Sequence, residues 1–249
     1  MKKPWIWIAS VGGVVVLAVG AWFAGEWVAS QIVTSTVREQ VIETLALPAD
    51  QQIDVAVSGA VLPQLIGGTI DDITVSSQNV TVGEFTGDVS VHATGVPTRG
   101  SGDIESATAT VTIDEAELQR LLSTVKGFPA DTVGLAEPDV TMSKTLNLLG
   151  LSVPVAVGLT PSAQDGKLIL TPDYVKVAGA QLSAADVKSR FGDAASAVVR
   201  DWPVCIAQYL PAGVTLTDVA VTGNELVTHF AIDGAIAHDK SLQEKGTCA

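Results

Sequence analysis

Two hydrophobic periods divide this chain, and an unbroken apolar run precedes both. Lys2 and Lys3 are followed by Trp5 to Ala24, in which Ser10 is the single polar residue, and the first acid, Glu26, comes only after Gly25. A helix of about twenty residues rises roughly 30 Å, the thickness of a bilayer's hydrocarbon core, so the run is expected to span a membrane. Trp5, Trp7, Trp22 and Trp27 sit toward its two ends, where amphipathic rings favour the headgroup level. The basic residues upstream keep the N-terminus cytoplasmic. The alternative is a cleaved signal peptide, cut near Val19 to Ala21 or Val28 to Ser30; its apolar segment is usually about 7 to 15 residues, shorter than this run. Both readings export everything after Glu26, giving a cytoplasmic tip and single-pass anchor over residues 1–25 and one extracytoplasmic domain over 26–249.

The first period is helical. No glycine or proline interrupts Glu26 to Leu47, and Val33, Val37, Val41 and Leu45 recur at every fourth position with Ile32 and Ile42 beside them. An amphipathic helix therefore continues out of the membrane. Pro48 ends it, because the residue before a proline avoids the helical region.

From Ile53 the period falls to two. Val55 and Val57, Ile73 and Val75, Val89 to Ala93, and Ala107 to Ile113 alternate with Thr, Ser and Asp, as half-buried strands do. Val153 to Leu159, Leu168 to Val177, Thr215 to Thr222 and Leu226 to Ile236 continue the series, with turns at Gln164-Asp165-Gly166 and Gly223-Asn224. Two helices break in. Asp114 with Glu117, ahead of Leu118, Leu121, Leu122 and Val125, makes one capping signal; Ser183 with Asp186, ahead of Val187, Phe191, Ala195, Val198 and Val199, makes the other. This order lacks the regular alternation of a parallel sheet. The expected class is α+β, with one long, curved antiparallel sheet.

Charge narrows the partners. The chain carries a net charge of −13 and no Lys/Arg cluster, so nucleic acid is excluded as a partner and an anionic lipid surface is not sought by charge alone. Cys205 and Cys248 are the only cysteines, and both lie on the exported side, where disulfides persist. Pairing them closes a loop worth roughly 4 kcal/mol in the chain-entropy model. Two unrelated thiols are the alternative, and a redox pair lacks the C-x-x-C spacing.

A search for catalysis finds little. His92, His229 and His238 fall on expected strands without metal-ligand spacing, and no nucleophile elbow, Walker loop or dinucleotide fingerprint occurs. Asp71-Asp72 and His238-Asp239 are adjacent residues, which point to opposite faces of a strand and read as turn or surface groups. No enzyme activity, cofactor or metal is expected. The hydrophobic fraction of 47% instead fits either a solid core or a tube that admits an acyl chain.

The segment Val57-Ser-Gly59-Ala-Val-Leu62-Pro-Gln64-Leu65-Ile-Gly-Gly68, then Ile73-Thr-Val75, Val80-Thr-Val82-Gly83, Gly166-Lys-Leu168 with Pro172 and Val175, and Leu210-Pro211-Ala-Gly213-Val-Thr-Leu216-Thr-Asp-Val219-Ala-Val221, resembles the LmeA-like phospholipid-binding family of actinobacterial envelope proteins. The resemblance covers about residues 28 to 237. Ala60-Val61 stand where that family usually has Pro-Phe. The resemblance implies an exported phospholipid binder that supports envelope lipid or glycolipid maintenance, with a tubular architecture in which a curved sheet wraps a long helix. On that footing Leu62, Gln64, Leu65 and Ile66 are expected to form an apolar lip at a sheet edge, Gln64 donating to a phosphate. Acyl chains are expected against inner strand faces and Leu121, Leu122 and Phe191. Each buried methylene contributes about 0.8 kcal/mol, enough over two chains to outweigh repulsion of an anionic headgroup. The competing expectation is a non-enzymatic envelope scaffold or interaction domain with a solid core, in which the lip is a bulge packed inward. Protein partners are not legible.

Overall fold

The uninterrupted helical period produces one long helix, α1 (Pro4–Leu45). The protein was examined as a computed structural model that describes residues 4–82, 85–148, 151–177, 180–192 and 199–248, with side chains from residue 20 onward except at 82, 85, 144, 146–148, 151–152 and 191. Of the expected inward stripe, Val33 is buried with Ala29 one turn earlier, Val37 and Val41 are half-buried, and Ile32 and Leu45 are exposed. The helix closes before Pro48: Ala46 turns into the left-handed region and the Leu47 N–H reaches back to the Ile42 carbonyl at 2.9 Å. Among the described residues no helix is long and apolar enough to cross a membrane. Most side chains of the run expected to span, Trp5 to Ala24, lie outside those residues.

After α1 come β1 (Asp54–Val57), α2 (Val61–Gly67), β2 (Thr69–Val82), β3 (Phe85–Pro97), β4 (Ser106–Ile113) and α3 (Glu115–Ser123). They are followed by β5 (Gly134–Ala136), β6 (Asp139–Leu148), β7 (Leu151–Gln164), β8 (Lys167–Val177), β9 (Ala180–Ser183) and α4 (Ala184–Phe191). The chain closes with β10 (Trp202–Val204), β11 (Val214–Thr222), β12 (Glu225–Ile232) and the short α5 (Lys240–Gln243). The expected capping signals operate: Asp114 accepts from the Glu117 N–H at 2.9 Å and Ser183 from the Asp186 N–H at 3.1 Å.

The strands form two open antiparallel sheets rather than one. The first runs β1-β2-β3-β4-β12-β11; the second runs β10-β8-β7-β6-β5, with β9 also on β8. The division arises because the last hairpin returns to pair with β4, Leu226 opposite Ile113, and so completes the first sheet, while residues 134–204 build the second. Residues 62–66, expected as a lip at a sheet edge, lie in a short helix between the edge strand β1 and β2. The second sheet also contains β5, β6 and β10, for which the sequence was given no strand, and β12, expected to run to Ile236, stops at Ile232. There Asp233 accepts the Ala235 N–H at 2.9 Å and starts a 3-10 turn, which places His238 beyond the strand.

Alternation in sequence becomes two-faced rows in the first sheet. Val55, Val75, Val91, Ala109, Phe230 and Leu216 are successive partners across all six strands, and so are Val57, Ile73, Ala93, Ala107, Ile232 and Val214. The opposite face carries Asp54, Ser76, Ser90, Thr110, His229 and Asp218 in the same manner. One face is thus apolar from edge to edge and the other polar, as in antiparallel sheets that cover one side only. The apolar face is covered in two places. α1 lies over the β1–β2 side through Ala29 and Val33 against Ile70, Ile73, Ala93 and Ala107. Leu118 and Leu122 of α3, with the second sheet, cover the β12–β11 side against Ala109, Leu216, Val219 and Phe230.

Candidate functional site

The expected lip is a helix of two turns held at both ends. At its N-terminus the Glu26 carboxylate of α1 accepts the N–H groups of Val61 and of Leu62, the latter at 3.0 Å, placing negative charge where a helix's free amides need it. At its C-terminus Gly68 adopts a left-handed conformation (φ 88°), and exposed Arg99 donates to the Leu65 carbonyl at 3.1 Å. Gly68 suits this cap because a side chain there is strained. Between the ends, Gln64 bridges two loops, donating to the Ser58 carbonyl at 2.8 Å and accepting the Asp71 N–H at 2.9 Å. One amide hydrogen of Gln64 remains for a ligand.

These contacts sort the lip residues. Val61 is buried, Leu62 and Leu65 pack half-buried into the seam between α1 and β2, and Ile66 points outward, 68% exposed. On α3, Leu122 is fully buried and Leu121 half-buried against the inter-sheet core. The lip and α3 residues therefore belong to two different apolar clusters. Phe191 ends α4, and its side chain lies outside the described residues.

What joins the two clusters is the open part of the apolar face, which sequence reasoning named only as alternating strands. Val75 and Val89 pack toward the α1 seam, whereas Val91, Val111, Ile113 and Leu121 pack toward the inter-sheet core, and all six are only half-buried. Val75 is the strand partner of Val91, and Val89 of Val111, so these side chains form one continuous apolar strip. Valine by itself gives no such signal, since Val140, Val157 and Val204 are buried in the inter-sheet core, and the strip is defined only by the pairing of β2, β3 and β4.

The polar face has its own geometry. The Ser58 hydroxyl donates to Asp72 at 2.8 Å, and the other Asp72 oxygen meets His92 Nε2 at 2.8 Å. The His92 hydrogen bond, followed by that from Ser58, holds the Asp72 carboxyl below its usual range. The serine faces the carboxylate and not the imidazole, unlike the serine–histidine contact that activates a nucleophile. Among the described residues no group of His, Cys, Asp and Glu is placed to hold a metal ion.

Two cavities lie elsewhere. One of about 330 Å³ on the polar face is lined by Asp54, Ser76, Asp88, Ser90 and Thr110. One of about 570 Å³ lies between Gly166-Lys167, Pro211 and Val214, and the C-terminal tail at Thr247-Cys248. The tail is fixed there by the Cys205–Cys248 disulfide, whose Cα atoms are 5.9 Å apart.

A helix-flanked antiparallel sheet with a continuous, partly open apolar face belongs to the class of domains that can hold an apolar ligand against a sheet. A sequence model of the LmeA-like phospholipid-binding family matches residues 20–231, and the chain belongs to that family. Membership supports phospholipid binding. No curated protein and no solved structure matches the chain significantly.

Proposed function

We propose that this protein is a membrane-anchored, extracytoplasmic phospholipid-binding protein without enzyme activity. In this reading the N-terminal part of α1 is a single-pass anchor with Lys2 in the cytoplasm, and the domain after it holds acyl chains and supports envelope lipid or glycolipid maintenance. The observation that carries the reading is the half-buried valine strip, Val75, Val89, Val91 and Val111, between two covered parts of one apolar sheet face in a member of a phospholipid-binding family. An acyl chain laid along that strip closes it with groups as apolar as its own, at about 0.8 kcal/mol per methylene. The sheet then wraps chain and helix together as a tube. Leu121 of α3 is half-buried against the same core that Val91 and Val111 pack toward, and Gln64 has one amide hydrogen left for a phosphate at the lip.

The test is photo-crosslinking of the intact chain with a phospholipid that carries a photoactivatable group in its acyl chain, followed by peptide mapping. Adducts on β3, β4 and α3 are expected. Adducts confined to residues 5–24 would reduce the domain to an anchored scaffold whose only lipids surround its anchor.

A further inference from the structure

We infer that α2, through Ile66, is a foot that docks on the lipid bilayer beside the point where α1 enters it. This rests on the anchor reading above and adds a second membrane contact made by the folded domain itself. Four large apolar side chains are left to solvent at this end of the domain: Trp22 (50%), Phe23 (68%), Trp27 (67%) and Ile66 (68%). Apolar patches of this kind mark interaction sites, and tryptophan is the residue favoured where hydrocarbon meets headgroup.

α2 lies at the level where the helix leaves the apolar run, because it abuts α1 at Gly25, where even a Cβ atom would come within 3.3 Å of the Leu62 side chain. Trp22 lies one turn toward the N-terminus from that contact, and Ile66 one turn beyond Leu62 on α2. The local charges agree with a lipid surface. Glu26 turns its carboxylate inward onto the α2 amides, and Arg99, exposed beside the Leu65 carbonyl, presents a cation at the same end of a chain whose net charge is −13. The occupant is the bilayer and not a second protein, because α2 abuts α1 at Gly25, immediately after the apolar run Trp5 to Ala24 whose last large side chains are Trp22 and Phe23.

The experiment places a thiol-reactive fluorophore on variants of the full chain with one added cysteine, the native disulfide intact, in phosphatidylcholine and phosphatidylglycerol vesicles containing lipid spin-labelled near the headgroup or, in a parallel set that reads position 16, near the end of the acyl chain. Ile66→Cys, with Pro63→Cys as a second probe of α2, tests the foot; Val16→Cys tests the anchor. Asn224→Cys, on the hairpin at the opposite end of the first sheet, is the control. Loss of fluorescence on spin-labelled lipid is expected at 63 and 66 and absent at 224. Quenching at 16 with none at 63 or 66 overturns the foot and leaves the anchor standing. Quenching at 63 and 66 with none at 16 keeps the foot and overturns the anchor. Equal quenching at 66 and 224 overturns a specific foot, as does a label at 66 that is shielded only by a second copy of the chain.

Discussion

Glu26 on α1 and Leu62 on α2, remote in sequence, are joined by a 3.0 Å hydrogen bond from the Leu62 amide to the carboxylate. The same carboxylate takes the Val61 amide, so one side chain fixes both the start of α2 and its distance from the long helix. Glu26→Ala removes an N-terminal cap with charge-assisted bonds and is expected to cost about 1–2 kcal/mol locally. Hydrogen exchange at Val61 and Leu62 measures it. Faster exchange there with unchanged protection in β7 and β8 is the expected pattern, and unchanged exchange at both amides would contradict the cap.

Gly158 of β7 lies directly under the ring of its strand partner Tyr174, close enough that a Cβ would sit 2.2 Å from a ring carbon. The Lys176 ammonium also lies over this ring, 4.9 Å from its centroid. Gly158→Ala therefore has to displace an aromatic ring, with an expected cost of about 1–3 kcal/mol as for other overpacked sites. In a Tyr174→Ala background the same change should cost much less. A double-mutant cycle by chemical denaturation decides, and equal costs in the two backgrounds would show that the ring is not the obstacle.

Acid should loosen the edge of the first sheet through Asp72. Its carboxyl is held below the usual range by His92 and Ser58, so its stabilising effect is fully present above the ordinary carboxylate range and is lost as pH falls through its lowered value. Asp72→Asn is expected to be less stable than the parent at neutral pH, with the two curves converging in acid. Thermal midpoints followed from neutral to acid pH test this. A constant gap between them would assign the effect to something other than this titration.

The disulfide ties the tail that runs beside the start of β11. Gly213 donates to the Leu242 carbonyl at 2.9 Å and Gly246 to the Leu210 carbonyl at 2.9 Å, so the tail is bonded as well as tethered. Cys205→Ser should lower stability by up to roughly 4 kcal/mol, the chain-entropy value, less what those backbone bonds retain in the untethered state. Thermal denaturation with and without reductant measures the effect. A parent protein insensitive to reductant would mean that the tether adds nothing to those bonds.

The long helix, the strands that alternate cleanly and both side-chain caps were legible because each rests on local period or on residues three apart, such as Asp114 with Glu117. β6 was missed although Val140, Met142, Leu146 and Leu148 alternate with Thr141, Ser143, Thr145 and Asn147: Lys144 stands at an apolar position of that alternation and splits it into two short halves, which pairing with β7 joins into one strand. α2 was missed because Pro63 and flanking glycines read as a loop, whereas its ends are secured by Glu26 and Arg99 from elsewhere in the chain. The lip's leucines were found but not their orientation. Leu65 faces the seam and Ile66 faces out, a distinction set by how α2 sits on α1. The valine strip needed the register of β2, β3 and β4, which no single segment contains.

The pairing of β12 with β4 has a consequence for how the chain reaches its final state. His229 meets Thr110 in that ladder, so the first sheet is finished only after well over a hundred intervening residues have been released. Long loops of this kind make folding slow, and until the last hairpin arrives the edge of β4 is an open template for other strands. In the anchored reading proposed above, the segment after α1 emerges with β4 well ahead of β12 and carries that unpaired edge for most of its passage, so a holding chaperone on the receiving side would suit this topology.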